Sequence, residues 1–391
     1  MILRFEDCAI DIDRRELRRN GEIVHIEPQV FDLLVYLAKR GDRVVDKDEL
    51  FSSVWSGRFV SDAALGSRIN AARVAIGDSG REQRLLRTIP KRGFRFIGEI
   101  ATEPQTDAEA QALDASQTVK FCRSADGVAL AVATSGEGDV LIKTANWLTH
   151  VEHDWSSPVW GPTFRRWSAG RRFVRYDARG TGLSDRDPPD FSFAGFERDF
   201  EAVVESVGAK RFAILGMSQG ASVAIAYAAR HPERVTKLVL HGAYALGRIK
   251  RDRQADTEQA AAYLTLIRHG WGYANSAFMK AFSALYLPNG TPEQIQWFCD
   301  LQRKTTSPDN AIAIRTSCDE IDVTALLAQV RAPTLVLHSR HDSVVPFDHG
   351  RQIAVAIQNA RFVGLESANH VILPQEPAWA QFMAEIDAFL S

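Results

Sequence analysis

Three residues in the second half of the chain have the types and the order that acyl transfer needs. Ser218 sits in Gly216-Met217-Ser218-Gln219-Gly220, after the apolar run FAIL and before the small-residue, helix-like ASVAIAYAARH. Glycines on both sides permit the sharp strand-to-helix turn that lifts a serine hydroxyl above a sheet. The N-terminus of the following helix favours negative charge beside it. A serine hydroxyl is a weak nucleophile until a base takes its proton, and that base needs a partner to fix its tautomer. Asp342 follows the strand-like TLVLHS, and His370 lies in the loop after FVGL, ahead of a final helix expected at 376–390. Histidine titrates near neutrality and suits the base; Asp342 would orient it and stabilise the imidazolium. His341 is a rival by chemistry but adjoins the acid.

Such residues must be carried by the ends of different strands. Apolar runs at 119–123, 128–134, 139–144, 172–177, 212–216, 236–241, 334–339 and 361–365 alternate with helical patterns. That rhythm predicts βαβ units and a mostly parallel sheet opened by an antiparallel hairpin. With its serine turn and downstream acid and base, segment 119–391 resembles the α/β-hydrolase family. Asp177-Ala178-Arg179-Gly180-Thr181-Gly182-Leu183-Ser184 matches that family's loop after the fourth strand. The resemblance implies Ser218 as nucleophile, Asp342 as acid and His370 as base. It also implies an oxyanion hole from the amide of Gln219 and one amide of the loop after the third strand. In that loop Thr144-Ala145 stand where the family usually has His-Gly, and Asn146-Trp147 follow. The second amide is assigned to Asn146, with Trp147 as the alternative. Helical, aromatic-rich text over 243–331, including Tyr263, Trp271, Tyr273, Phe278, Met279, Phe282, Tyr286, Trp297 and Phe298, has the position of a cap. Trp147, Trp155, Trp160 and Trp167 cluster near the oxyanion segment. An apolar pocket beneath a lid suits a small hydrophobic ester, lactone or amide.

The first half is patterned differently. Residues 2–5, 8–12 and 22–26 read as short strands, with Asn20-Gly21 as a tight turn. Pro28 opens a helix, Asp46 and Glu49 start a second over 47–54, and Ser61 caps a third that runs to about Ile76. On the third helix Leu65, Ile69, Ala72 and Ile76 make one narrow apolar face. Ala63, Ser67, Asn70, Ala71 and Val74 lie opposite, flanked by Arg68 and Arg73. Strand-like 85–89 and 94–98 enclose Pro90-Lys91-Arg92-Gly93, a basic hairpin. Residues 58–95 hold nine Lys/Arg against three Asp/Glu, enough to draw a polyanion to one face. Small and polar helix residues fit the floor of a major groove, and basic residues displace phosphate counterions. Through EPQVFDLLVYLAKRGDRVVDKDELFSSVW, SDAALGSRINAARVAIGD and LLRTIPKRGFRF, segment 1–98 resembles the winged-helix DNA-binding domain of OmpR/PhoB-type response regulators and their CadC-like one-component relatives. The resemblance implies double-stranded DNA as partner, helix 62–76 as recognition helix and 87–95 as wing. Candidate DNA contacts are Ser67, Arg68, Asn70, Ala71 and Arg73 from the helix, and Arg87, Lys91, Arg92 and Arg95 from the wing. A homodimer on paired half-sites is expected of such a regulator.

The composition is consistent with both halves. The 391 residues are 45% hydrophobic and 25% charged with a net charge of -2, which excludes a disordered, collagen-like or coiled-coil chain. Residues 101–118 (ATEPQTDAEAQALDASQT) read as a linker, giving domains 1–100 and 119–391. The N-terminus has no signal-peptide h-region and no run is long and apolar enough to span a bilayer. Cys8, Cys122, Cys299 and Cys318 lack metal or redox spacing and suit a reducing cytoplasm. No metal or nucleotide cofactor is expected, since neither HExxH nor a phosphate loop is present. The fold class expected is therefore α/β: an N-terminal winged helix-turn-helix domain and a C-terminal α/β-hydrolase fold with a helical cap. The function expected is a one-component transcription regulator whose second domain binds and hydrolyses a small ligand. The alternative is a serine hydrolase with an accessory DNA-binding domain.

Overall fold

The structure, a computed structural model, describes residues 2–12, 15–41, 43–55, 61–90, 92–98, 101–102, 117–251, 253–273 and 276–391. The chain forms two compact units, Met1–Ala110 and Gln111–Ser391.

In the first unit β1 (Ile2–Phe5), β2 (Cys8–Asp11), β3 (Glu16–Arg19) and β4 (Glu22–Val24) form an antiparallel sheet. Asn20 and Gly21 both take positive φ, 50° and 83°, which closes the β3–β4 hairpin with the right twist. Strand β3 was not among the expected strands; ELRR is mostly charged, and Leu17 alone is buried. After the wing described below, β7 (Ala101–Thr102) pairs with β1, Leu3 opposite Thr102 and Arg4 opposite Ala101. Two residues of the stretch read as a linker thus pair with the open backbone edge of β1.

Three helices pack on this sheet: α1 (Pro28–Arg40), α2 (Lys47–Val54) and α3 (Asp62–Ala75). Val30, Phe31, Leu33, Leu34, Leu37 and Ala38 bury one side of α1. Asp46 caps α2 by accepting from the Glu49 amide at 2.7 Å, and Ser61 caps α3 by accepting from the Ala64 amide at 3.2 Å. The hairpin β5 (Leu86–Ile89) and β6 (Gly93–Phe96) follows, and Phe94 bridges to Val45.

Asp78 fixes the approach to that hairpin. It is buried, and its carboxylate accepts from the amides of Ser79, Arg84, Leu85 and Leu86 at 2.7–3.0 Å. Burial alone would raise its pKa, but the four amides bring it below the ordinary value. A depressed carboxylate stabilises above the unfolded pKa of about 3.9 and loses that contribution as pH falls through the folded value. Asp78→Ala should strand buried amides and cost the first domain about 3 kcal/mol. Urea titration followed by circular dichroism should show that loss at pH 7 and a smaller one near pH 3.

In the second unit β8 (Thr118–Arg123), β9 (Ala129–Ser135), β10 (Asp139–Lys143), β11 (Arg171–Tyr176), β12 (Phe212–Met217), β13 (Val235–His241), β14 (Thr334–Ser339) and β15 (Ala360–Leu365) form one sheet. Their order is β15-β14-β13-β12-β10-β11-β9-β8. Strands β8 and β9 pair antiparallel, as do β9 and β11; every other ladder is parallel. Each expected strand is present within a residue or two. Helices α4 (Val151–Trp155), α5 (Gly161–Ser168), α6 (Phe193–Val207) and α7 (Gln219–Arg230) alternate with the strands. The stretch between β13 and β14 carries α8 (Gln254–Gly270), α9 (Ala277–Tyr286), α10 (Pro292–Thr305) and α11 (Pro308–Glu320), a helical cap. Helices α12 (Phe347–Ala356) and α13 (Pro377–Leu390) complete the unit. The strands bury near-continuous apolar runs, as a sheet covered on both faces requires. Among the described residues no helix is long and apolar enough to cross a membrane.

Candidate functional site

Open parallel sheets bind ligands in the crevice outside the carboxyl ends of their strands. Ser218 stands directly after β12, Asp342 past the end of β14 and His370 past the end of β15. Ser218 has φ 51° and ψ −130°, a conformation that costs a non-glycine residue roughly 1–3 kcal/mol. The turn is held by the Ser218 amide donating to the His241 carbonyl at 3.0 Å. A Cβ at Gly216 would lie 2.7 Å from the Ala221 backbone, and one at Gly220 2.3 Å from the Ala145 carbonyl oxygen. The glycines therefore let helix α7 close on its strand and let the 144–147 loop close on the turn.

The Nδ1 of His370 is 2.7 Å from Asp342 Oδ2. Asp342 Oδ1 accepts from the amides of Val344 and Val345 at 2.8 and 3.0 Å. Burial pushes the Asp342 pKa up; His370 and the Val345 amide outweigh it and leave the carboxyl below its ordinary value. The His370 amide donates to the Tyr286 carbonyl at 2.9 Å, so the last turn of cap helix α9 holds the histidine loop. His341 points elsewhere, against the exposed Glu366 at 3.2 Å.

Ser218 and His370 line one cavity together with Asn146, Trp147, Leu148, Trp160, Met217, His241, Tyr286, Phe298 and Val371. Its volume of about 20 Å³ holds little more than a water molecule. Of the four tryptophans expected near the oxyanion loop, Trp147 and Trp160 reach the cavity; Trp167 packs against Phe173 and Phe382 in the core. Tyr273 and Phe278 in the cap region are exposed rather than turned inward.

Gln219 opens α7, so its amide is among those without an intrahelical acceptor. Asn146 lies in the loop after β10 and lines the cavity. Two contributors carried no sequence signal of their own. His241 ends β13, is buried with Nε2 unpartnered, and burial holds its pKa down at about 3. Lys143 ends β10, is buried, and donates from Nζ to the Thr144 carbonyl at 3.2 Å and to Asn146 Oδ1. Burial draws Lys143 down to about 7 and pushes the buried Asp154 up to about 7. Their positions at or near the ends of parallel strands were the signal available.

On the first unit, Ser67, Asn70 and Ala71 are exposed along α3, and Val74 is 64% exposed beside them. Arg68 is half-buried and pairs with Glu27 at 2.9 Å. Arg73 corrects the expectation of an outward arginine. It is 6% exposed and donates to the Leu86 carbonyl at 2.9 Å and to Thr88 Oγ1 at 2.8 Å, bracing strand β5 against α3. At the edge of the apolar stripe, its long side chain reaches back over the helix instead of into solvent. Arg87 and Arg92 are exposed on the hairpin, and Arg87 faces the half-buried Arg95 across the β5–β6 ladder. Lys91 lies outside the described residues.

The sheet order, the turn at Ser218 and the cap define a hydrolase-type second unit. The chain belongs to the alpha/beta hydrolase fold family, which it matches over residues 150–377. Residues 21–96 match the transcriptional regulatory protein, C terminal, family, so a DNA-binding domain is fused to the hydrolase domain. The chain is 30% identical over 211 residues to AB hydrolase superfamily protein YisY of Bacillus subtilis (strain 168), covering 51% of this chain and 75% of that protein. It is 25% identical over 109 residues to transcriptional activator CadC of Escherichia coli (strain K12), covering 28% of this chain and 21% of that one. Among solved structures, an esterase from Exiguobacterium antarcticum shares the fold with a TM-score of 0.59 and 20% identity, over 70% of this chain and 99% of that one.

Proposed function

We propose that this protein is a one-component transcription regulator whose hydrolase domain binds and cleaves a small hydrophobic ester, lactone or amide. Ser218 is the nucleophile, His370 the general base and Asp342 the residue that orients it. The observation that carries this reading is the 2.7 Å contact of His370 with a buried Asp342, in a cavity that His370 shares with the strained Ser218. A proton taken from Ser218 passes to His370 Nε2, and the imidazolium is stabilised by the carboxylate at Nδ1. The developing oxyanion is met by the Gln219 amide at the N-terminus of α7 and by the Asn146 segment.

The DNA side follows from α3 and the hairpin. Ser67, Asn70 and Ala71 face the major groove, and exposed Val74 supplies an apolar contact of the kind thymine methyls accept. Arg87, Arg92 and Arg95 meet phosphates. Arg87 and Arg95 stand opposite each other across the β5–β6 ladder, so both can be offered to one stretch of backbone. Arg87→Ala and Arg92→Ala should each neutralise one phosphate fewer and so flatten the dependence of log K on log salt by about 0.9. Fluorescence anisotropy on one duplex across a salt series measures it; an unchanged slope means that residue does not meet the DNA backbone.

The experiment for the whole reading is a DNA titration with and without a panel of hydrophobic esters and lactones, using wild type and Ser218→Ala. A ligand that changes DNA affinity in both proteins makes occupancy the signal. A response that fades with time only in wild type makes turnover the reset. No response to any ligand in either protein leaves a hydrolase with an accessory DNA-binding domain.

A further inference from the structure

Lys143 has no role in proton transfer at Ser218, yet it is 2% exposed directly behind the loop that faces it. Desolvating an amine this deeply is costly unless its N–H groups are bonded. The charged groups that face it are Asp154 on α4 and Arg175 on β11, and Trp160 covers it at 5.8 Å from Nζ. Its hydrogen bonds run instead to the Thr144 carbonyl and to Asn146 Oδ1, both in the loop after β10. Ammonium and neutral amine alike have the two N–H groups those acceptors need. With Nζ as the donor, the carboxamide oxygen of Asn146 faces the lysine. Nδ2 is left at the other end, and among the described residues no acceptor is paired with it.

Asn146 also lines the cavity beside Ser218. The backbone around it is constrained. Ala145 is buried, and its carbonyl packs so closely on Gly220 that a Cβ there would come within 2.3 Å. An alanine at this place has less freedom than glycine to turn an amide toward the nucleophile. A side-chain carboxamide supplies the same chemistry from a different atom.

We propose that Lys143 is a positioning residue that holds the Asn146 carboxamide so that its Nδ2 is the second oxyanion donor, beside the Gln219 amide. The inference rests on Ser218 being the nucleophile. It replaces the main-chain amide of residue 146 or 147 by a side-chain group and gives the buried lysine a task.

The test measures kcat and KM for a short-chain p-nitrophenyl ester in wild type, Ser218→Ala, Asn146→Ala, Asn146→Asp, Lys143→Met and Lys143→Met/Asn146→Ala. Losing one preorganised oxyanion donor lowers kcat by about 10²–10³-fold. Asn146→Ala should show that loss with KM changed less than about threefold. Asn146→Asp keeps the contact with Lys143 and every main-chain amide but cannot donate, so it should fall as far as Asn146→Ala. Lys143→Met should lose about 10²-fold by misplacement of the amide, and the double variant should be no worse than Asn146→Ala alone. Near-wild-type kcat in Asn146→Asp overturns the side-chain assignment. Losses that multiply in the double variant overturn the role of Lys143, and Asn146→Asp decides the donor even where Lys143→Met does not fold. Ser218-dependent cleavage that none of these changes touches defeats this inference alone. Cleavage that survives in Ser218→Ala, or is absent from wild type, defeats the nucleophile reading and this one with it.

Discussion

Ser218→Ala should lower ester cleavage by about 10⁴-fold or more, with ligand binding retained. No neighbouring group substitutes for the hydroxyl. Met217 and Gln219 flank it, His241 beside it is a buried imidazole held neutral, and His370 has no second nucleophile to serve. Under the proposed mechanism the oxyanion donors and the pocket still bind the carbonyl without the nucleophile, so a residual rate above water should survive. The alanine also relieves nothing at the backbone, because the φ of 51° is imposed by the strand-to-helix turn. The folded domain should therefore keep its melting temperature within about 2 °C. Steady-state cleavage of a p-nitrophenyl ester, with calorimetry of an uncleaved analogue alongside, checks both halves. A variant that cleaves within tenfold of wild type would exclude Ser218 as the nucleophile.

How far the sequence reached follows from range. The turn at Ser218 is written locally, because a buried strand, two glycines and a small-residue helix fall within about twenty residues of text. The strands of the second unit were legible for the same reason: a mostly parallel sheet covered on both faces leaves near-continuous apolar runs in its strands. Strand β3 was not, since Glu16-Leu17-Arg18-Arg19 is held by its pairing with β2 and β4 rather than by its own burial. Arg73 shows the limit of helical-wheel geometry. The wheel places its Cα at the border of the apolar face, but the carbonyl of Leu86 and the hydroxyl of Thr88, residues away in the chain, decide where the guanidinium goes. Lys143 and His241 were harder to read for a related reason. Each closes a short apolar run, Val140-Leu141-Ile142 and Leu238-Val239-Leu240, and only the sheet order sets β10, β12 and β13 side by side. Tyr286 and Phe298, read as generic cap aromatics, are distinguished from Tyr273 and Phe278 solely by tertiary position.

Asp342→Asn should lower kcat by about 10⁴-fold while changing KM little. The carboxylate accepts from His370 Nδ1, which under the proposed mechanism leaves Nε2 to take the serine proton. A carboxamide in the same place can present its NH₂ to Nδ1 instead, which puts the imidazole proton on Nε2 and removes the base. The site makes that inversion hard to avoid. Oδ1 accepts from the Val344 and Val345 amides, so the carboxamide oxygen of the variant is drawn there and its NH₂ is left facing His370. His338 stands 3.7 Å from the same Oδ2 but its Nε2 is engaged with the Val345 carbonyl at 2.9 Å, and burial lowers its pKa, so it offers no replacement charge. The pH dependence has a fixed sign. The Asp342 pKa is depressed in the folded state, so its carboxylate stabilises the domain above the unfolded value of about 3.9 and loses that contribution as pH falls through the folded one. Wild type and Asp342→Asn should therefore differ in unfolding free energy at neutral pH and converge in acid. Asp342→Glu keeps the charge and the acceptor, and should recover part of the rate if the tautomer is what the residue controls. Equal losses in Asp342→Asn and Asp342→Glu, with no pH-dependent convergence in urea titrations, would assign Asp342 to packing alone.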